Sequence, residues 1–315
     1  MSCNLGCDEH FNGLDPSMPE IELTTRCPNL IYDVGMHKGE DTDFYLKKGF
    51  RVIGFEADPD LVAHCRNRFQ MEIEQGRLTI VEGAIVEHAE GLTAQNVRFY
   101  QNKNNSVWGT IQGDWARRNE TLGAPSSAIA VRTVDFASYL RRYGVPYYLK
   151  IDIEGSDAVC LRGLIDFDQK PDYVSIESEK VTFAKLLEEF QLLRKLGYTA
   201  FQAVQQDGIS SQAEPEECRE GFFADYEFQE GASGLFGEDL PGKWKNYREI
   251  LAEYKIIFLL YKFFGDRGKL NSYFFSNRLK KFIQKRLRRP IPGWYDTHAR
   301  HSAHVPKAIS TNAAT

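Results

Sequence analysis

Asp33-Val34-Gly35-Met36-His37-Lys38-Gly39-Glu40 constrains this chain more than any other stretch. An apolar run, Asn29-Leu30-Ile31-Tyr32, leads into it, and a helix-like run from Asp41 to Lys48 follows. A second apolar run, Arg51-Val52-Ile53-Gly54-Phe55, then ends in Glu56. This is strand, glycine turn, helix, strand. In such a unit a nucleoside-bearing ligand lies across the carboxyl ends of adjacent parallel strands. The glycines let the backbone approach it, and an acid ending the second strand can accept hydrogen bonds from both ribose hydroxyls.

The turn reads Asp-x-Gly-x-x-x-Gly rather than Gly-x-Gly-x-x-Gly. A dinucleotide fold presents backbone N–H groups at a helix N-terminus to a pyrophosphate. Here Asp33 opens the loop and Glu40 and Asp41 close it. Such charge opposes a pyrophosphate but favours a sulfonium and a free amino group. The loop therefore fits S-adenosylmethionine better than NAD.

Further acid-terminated strands follow. Leu149-Lys150-Ile151-Asp152-Ile153-Glu154-Gly155 is one, and Pro171-Asp172-Tyr173-Val174-Ser175-Ile176-Glu177 is the next. With Asp33-Val34-Gly35 and Gly39, Phe55-Glu56 with Pro59, Gly83-Ala84 and Thr133-Val134-Asp135, they make the chain resemble the FkbM family of S-adenosylmethionine-dependent methyltransferases, from about Leu30 to Glu179. Lys-Ile-Asp-Ile-Glu-Gly carries most of the resemblance, because a generic strand does not require it. The family often has Glu-Pro where this chain has Glu56-Ala57, and a smaller residue where it has Met36.

The resemblance implies a methyl transfer and a set of cofactor-binding residues: Asp33, Gly35, His37, Gly39, Glu56, Ala57, Gly83, Ala84 and Asp152. It places Gly35 and Gly39 by the methionine part, Glu56 at the ribose, Gly83-Ala84 beside adenine and Asp152 nearest the methyl group. An alcohol acceptor benefits from a base, and Asp152, Glu154 and His37 are the catalytic candidates. Glu154 also suits a helix-start role before Gly155-Ser156, and His37 also suits a place as loop or cofactor neighbour. A divalent cation between Asp152 and Glu177 is an option that is not favoured, and no metal ligands are assigned. The expected acceptor is a sugar, glycolipid or polyketide-like hydroxyl. A NAD-dependent reductase and a catalytically silent binding module are the alternatives.

The expected fold is α/β: a Rossmann-like, mostly parallel sheet closed by an antiparallel strand pair, plus a basic helical C-terminal extension. The closing pair is placed at Tyr198 to Val204 and Phe222 to Phe228, after a helix from Val181 to Leu196 that Gly197 stops. Asp58 followed by Pro59 marks another helix start. Val97 to Tyr100 and Ile129 to Arg132 read as strands flanking a polar loop around Trp108, which is either an acceptor loop or an ordinary hairpin tip.

Charge divides the 315 residues. From Leu240 to Arg300 there are 15 Lys and Arg against 4 Asp and Glu, although the whole chain has net charge −5. The expected organisation is an N-terminal extension over 1–28, the cofactor domain over 29–230, a basic, aromatic-rich helical extension over 231–300 and a disordered tail over 301–315. The arm is expected to dock on the acidic main domain and help cover the acceptor site, with contact to an anionic membrane surface as the other reading. Gly293-Trp294-Tyr295-Asp296-Thr297-His298 is a candidate to fold over the site. No run reaches membrane-span length and no nucleic-acid partner is expected. Six scattered cysteines, including Cys3-x-x-x-Cys7 near His10, read as reduced thiols. With no signal-peptide pattern, they point to the cytoplasm.

Overall fold

The computed structural model describes residues 25–87, 95–102, 106–121, 123–153, 155–178, 182–264, 282, 285–286 and 294–304. Glu154, the Cys3–Cys7 segment and most of residues 265–293 of the expected helical extension lie outside them.

The first half of the chain alternates strands and helices. These are β1 (Arg26–Val34), α1 (Glu40–Lys47), β2 (Arg51–Glu56), α2 (Pro59–Arg68), α3 (Gln70–Glu74) and β3 (Leu78–Glu82). Then come β4 (Ala84–Ile85), β5 (Asn96–Gln101), α4 (Gly113–Thr121), β6 (Ser127–Val134), α5 (Phe136–Tyr143) and β7 (Val145–Ile151). The last elements are α6 (Asp157–Gly163), β8 (Tyr173–Glu177), α7 (Phe183–Lys195), β9 (Tyr198–Gln205), α8 (Tyr247–Phe264) and β10 (Tyr295–His301). Two starts show the sequence logic. Asp58 accepts the Asp60 N–H at 2.9 Å with Pro59 at the first helical position, and Asp135 accepts the Ala137 N–H at 3.1 Å.

The seven-stranded sheet has the order β3-β2-β1-β7-β8-β10-β9. Neighbours from β3 to β8 run parallel, and β10 runs antiparallel to both β8 and β9. The antiparallel closure is present, but its second strand is Tyr295–His301 rather than Phe222–Phe228. The alternation in Phe222–Phe228 does not serve pairing. Phe222 and Phe223 are exposed, whereas Tyr226 and Phe228 pack on Phe44. The sheet thus reaches into the stretch set apart by charge as an extension. The Trp294–His298 cluster opens that strand instead of forming a lid. His298 is buried there, and burial lowers its pKa to about 3.

Two cores flank the sheet. Alternate β1 residues face opposite ways: Leu30, Tyr32 and Val34 join α5, α6, α7 and α8 on one side, while Ile31 joins α1 and α2 on the other. Much of that second side is covered by the irregular chain between β9 and α8. Phe236 stacks on Tyr148 at 4.5 Å and meets Tyr45 at 5.4 Å. Lys48, fully buried, is paired there with Glu214 and, at 3.4 Å, with Asp239. On the first side, α8 buries Ile250 and Tyr254, and Phe190 meets Tyr254 at 5.6 Å. Strands β5 and β6 pair antiparallel and form, with β4, a smaller sheet beside the main one.

Candidate active site

A cleft opens over the carboxyl ends of β1, β2 and β7. It encloses about 840 Å³ of non-atom space, open solvent at the mouth included. Gly35, His37, Glu56, Ala57, Gly83, Ala84 and Asp152 all line it. The segment after β5 adds Ser106, Gly109 and Thr110, so the polar loop flanked by β5 and β6 does face the cleft. Trp108 is half-buried and not among the lining residues.

Gly35 is required by its surroundings. Its φ is 81°, and a Cβ there would stand 1.9 Å from the Asp152 carbonyl oxygen. Any side chain would push β1 and β7 apart at the cleft floor. Gly39 is required for another reason. It caps α1 at φ 81°, and a Cβ would strike the Phe69 ring at 2.3 Å. Gly39 does not line the cleft. It shapes the loop from behind.

Glu56 ends β2 with 8 % of its surface exposed. One oxygen accepts the His37 N–H at 2.9 Å and the other the Asp58 N–H at 2.8 Å. Burial raises its pKa to about 7, against the pull of those two donors and His37. A carboxylate with two lone pairs still open and a reluctant charge is a strong hydrogen-bond acceptor for a diol.

His37 itself sits at φ 52°. Its Nδ1 lies 3.1 Å from Glu40 Oε1 and its Nε2 2.7 Å from Ser106 Oγ. Burial raises the Glu40 pKa, but the His37 hydrogen bond and charge outweigh it and the net shift is downward. An ionised carboxylate only accepts, so Nδ1 carries a proton; when the ring is neutral, that tautomer leaves Nε2 to accept from the Ser106 hydroxyl. Serine, imidazole and carboxylate thus form a relay on the cleft wall. Neither Glu40, read from the sequence only as part of the loop's charge, nor Ser106 was among the expected site residues.

Asp33 is fully buried and does not line the cleft, contrary to its expected contact with the cofactor. Its carboxylate is engaged one layer beneath. Thr42 Oγ1 donates to Asp33 Oδ2 at 2.6 Å, and Lys150 Nζ stands 3.2 Å from Oδ1. Lys150 Nζ also donates to the Gly35 carbonyl at 2.9 Å and lies 3.4 Å from Asp41. Burial alone would lower the Lys150 pKa. Asp33, Asp41 and Asp152 outweigh it and hold the ammonium charged. Lys150, inside the most distinctive motif, was not among the expected site residues.

Acids stand at the ends of five strands: Asp33 on β1, Glu56 on β2, Glu82 on β3, Asp152 after β7 and Glu177 on β8. Their environments differ. Glu82 pairs with Arg66 at 2.9 Å away from the cleft, whereas Asp152 is exposed in it. Asp157 and Asp296 stand nearby, and burial first, then Asp152 and Glu177, raise both pKa values well above the carboxylate range. Among the described residues no group of three or more His, Cys, Asp or Glu could hold a metal ion, and no helix is long and apolar enough to cross a membrane.

Comparison with known proteins adds independent information. Over 57 residues the chain is 42 % identical to the probable ribosomal RNA small subunit methyltransferase A of Haloarcula marismortui, covering 18 % of this chain and 20 % of that protein. The chain therefore spans about a fifth of this curated relative. The crystal structure of an FkbM methyltransferase from Methylobacillus flagellatus aligns with TM-score 0.37 and 17 % identity, over 58 % of this chain and 41 % of that one. A precorrin-6y methyltransferase of Geobacter metallireducens aligns with TM-score 0.34 and 10 % identity, over 89 % and 84 %. A model of the methyltransferase FkbM domain matches residues 33–200. That match takes in more than half of the chain, from the end of β1 to the start of β9, and holds every cleft-lining residue named above; the chain belongs to the FkbM methyltransferase family.

Proposed function

We propose that the chain uses S-adenosylmethionine to methylate a hydroxyl group on a sugar, glycolipid or polyketide-like acceptor. Glu56 carries the reading. It is a buried carboxylate at the end of β2, with two backbone donors and open lone pairs turned to the cleft that Gly35, Gly83, Ala84 and Asp152 also line. Bound S-adenosylmethionine would supply an electrophilic methyl group on a sulfonium. Glu56 would hold the ribose, Gly35 would admit the methionine part, and Gly83 and Ala84 would flank the adenine. Asp33 would act indirectly, fixing Lys150 and through it the Gly35 carbonyl. Asp152 would orient the acceptor. His37 Nε2, with Nδ1 held by Glu40, would take the acceptor's hydroxyl proton as its oxygen bonds the methyl carbon and the methyl–sulfur bond breaks. Thr110 and Ser156 beside Phe99 and Ile111 give the walls the mixed character that suits a hydroxylated acceptor.

Calorimetry with S-adenosylhomocysteine and with NADH tests the cofactor. Binding of the first and not the second is expected. Glu56→Ala should weaken it by about 10- to 150-fold, from roughly 1.5–3 kcal/mol for hydrogen bonds to a charged group. Unchanged affinity would remove the ribose assignment. The pH dependence has a definite sign. Near pH 7 the free protein holds Glu56 partly protonated, whereas the diol needs the anion, so binding releases a proton. Affinity should therefore fall as pH drops below about 7, by up to tenfold per unit, and level off above it. A flat profile between pH 5 and 8 would contradict this.

Asp152→Asn should leave S-adenosylhomocysteine affinity within about threefold and slow transfer by at least tenfold, on the order of 1.4 kcal/mol in the barrier. Single-turnover rates equal to the parent's would exclude Asp152 from the transfer step. Full activity in a chelator is expected; loss restored by magnesium would point to a required cation.

A further inference from the structure

We propose that the outer face of α8 is an interfacial docking surface for an anionic lipid bilayer, and that it sets the cleft toward that surface. The inner face of α8 is occupied: Ile250 and Tyr254 are buried against the sheet. Among the described residues, the outer face of its second half is not. Ile256 is 54 % exposed, Leu259 55 % and Phe263 38 %. Their spacing of three and four residues puts them in one stripe. Lys255 and Lys262, both exposed, flank it, and no acid occurs from Lys255 to Phe264. An apolar stripe edged by lysines is the pattern of a helix lying in the headgroup region, where the alkyl stems follow the apolar face and the ammonium groups reach the phosphates.

Topology gives the surface a direction. Tyr254 Oη pairs with Ser178 Oγ at 2.5 Å, one residue past the carboxyl end of β8. Phe258 meets Phe183, the first residue of α7, at 5.2 Å. Both contacts lie at the sheet edge where the parallel strands end, and the remaining turns of α8 extend beyond it. Trp294, 53 % exposed, stands at that same edge, because β10 starts opposite Gln205, the last residue of β9. The cleft opens over this edge too. A bilayer touching α8 and Trp294 would face the side on which the acceptor enters.

Charge selects lipid over an apolar protein partner. Residues 265–293 carry nine Lys and Arg and one Asp. A cluster of that size next in sequence to an amphipathic helix is attracted to anionic headgroups at about 1 kcal/mol per cation near the surface. The rest of the chain is acidic and would be repelled, so the protein approaches with this end first. The contact does not depend on methyl transfer. Vesicle binding and cofactor titration are separate readings, and failure of one leaves the other standing.

The test is co-sedimentation of the full chain with vesicles of phosphatidylglycerol and phosphatidylcholine, against phosphatidylcholine alone. Binding to the anionic vesicles at low salt is expected, at least tenfold stronger than to neutral ones and weakened by 0.5 M NaCl. Leu259→Glu with Phe263→Glu should reduce it at least tenfold while S-adenosylhomocysteine binding is retained, which shows that the fold persists. Lys255→Glu with Lys262→Glu should reduce it and flatten the salt dependence. No binding, equal binding to neutral vesicles, or binding indifferent to both double variants would overturn the proposal. So would a lipid-free dimer by light scattering that Leu259→Glu dissociates, since the stripe would then serve a second copy of this chain.

Discussion

Replacing Lys150 by Met is expected to lower the unfolding free energy by about 3–5 kcal/mol, the usual loss when one partner of a buried ion pair is removed. For a chain of this size that is a fall in Tm of roughly 6–20 °C. The reason is local. Asp33 and Asp41 are both buried and both face the same ammonium, at 3.2 and 3.4 Å. Burial and Asp33 already push the Asp41 pKa up to about 6, against the pull of Lys150. Without the lysine, two carboxylates share one dry space, and at least one must take up a proton. The remaining hydrogen bonds, from Thr42 to Asp33 and from the Ser233 N–H to Asp41, satisfy only part of their capacity. The Gly35 carbonyl also loses its donor, so cofactor affinity should fall as well. Lys150→Met combined with Asp33→Asn and Asp41→Asn should recover most of the stability, because the triple variant buries no net charge. A single variant that melts within about 2 °C of the parent, or a triple variant no better than the single, would show that the lysine does not compensate these acids.

The parts of the molecule that repeat a local rule were legible in the sequence. Strands β1, β2, β7 and β8 are apolar runs with acidic ends. The α2 and α7 starts and stops follow Asp58-Pro59 and Gly197. The cleft residues Gly35, Glu56, Gly83 and Asp152 follow from being at strand ends on one sheet edge. What was not legible depends on distant partners. Strand β10 is Tyr-Asp-Thr-His-Ala-Arg-His, too polar to announce a strand between two others. It follows β9 only after a long intervening stretch, and its place is decided by pairing with β8 and β9. Ser106 reaches His37 from 69 positions away in the chain, and Glu40 looks like an ordinary first-turn acid of α1. Asp33 misled for the opposite reason. Its charge was read as facing the ligand, whereas the hydroxyl of Thr42 and the ammonium of Lys150 hold it behind the loop. Strand-end position says which edge a side chain belongs to. It does not say which layer.

His37→Asn is expected to slow methyl transfer by about 10²–10⁴-fold, the usual contribution of a positioned general base, with S-adenosylhomocysteine affinity changed by less than about threefold. Asparagine is the informative replacement because His37 sits at φ 52°, a conformation asparagine tolerates better than most residues. The His37 main chain can then keep its hydrogen bond to Glu56 Oε2, so the ribose-binding acid stays in place while the ring is lost. Glu40→Gln tests the other half of the relay. Its amide can still accept from Nδ1 but can no longer stabilise the imidazolium that forms as the proton moves. The rate should therefore drop at least tenfold. Ser106→Ala should be the mildest of the three. When the ring is neutral, its hydroxyl occupies the lone pair of Nε2 at 2.7 Å, the place an acceptor hydroxyl would have to take. Removing it frees the base without weakening it, so a rate within about threefold of the parent is expected. Single-turnover rates, measured with an acceptor found by screening hydroxylated glycans and glycolipids, decide the matter. A His37→Asn enzyme as fast as the parent would clear the ring of any part in proton transfer. A loss matched by an equal loss of cofactor affinity would make His37 a cofactor-binding residue and leave Asp152 to orient and deprotonate the acceptor together.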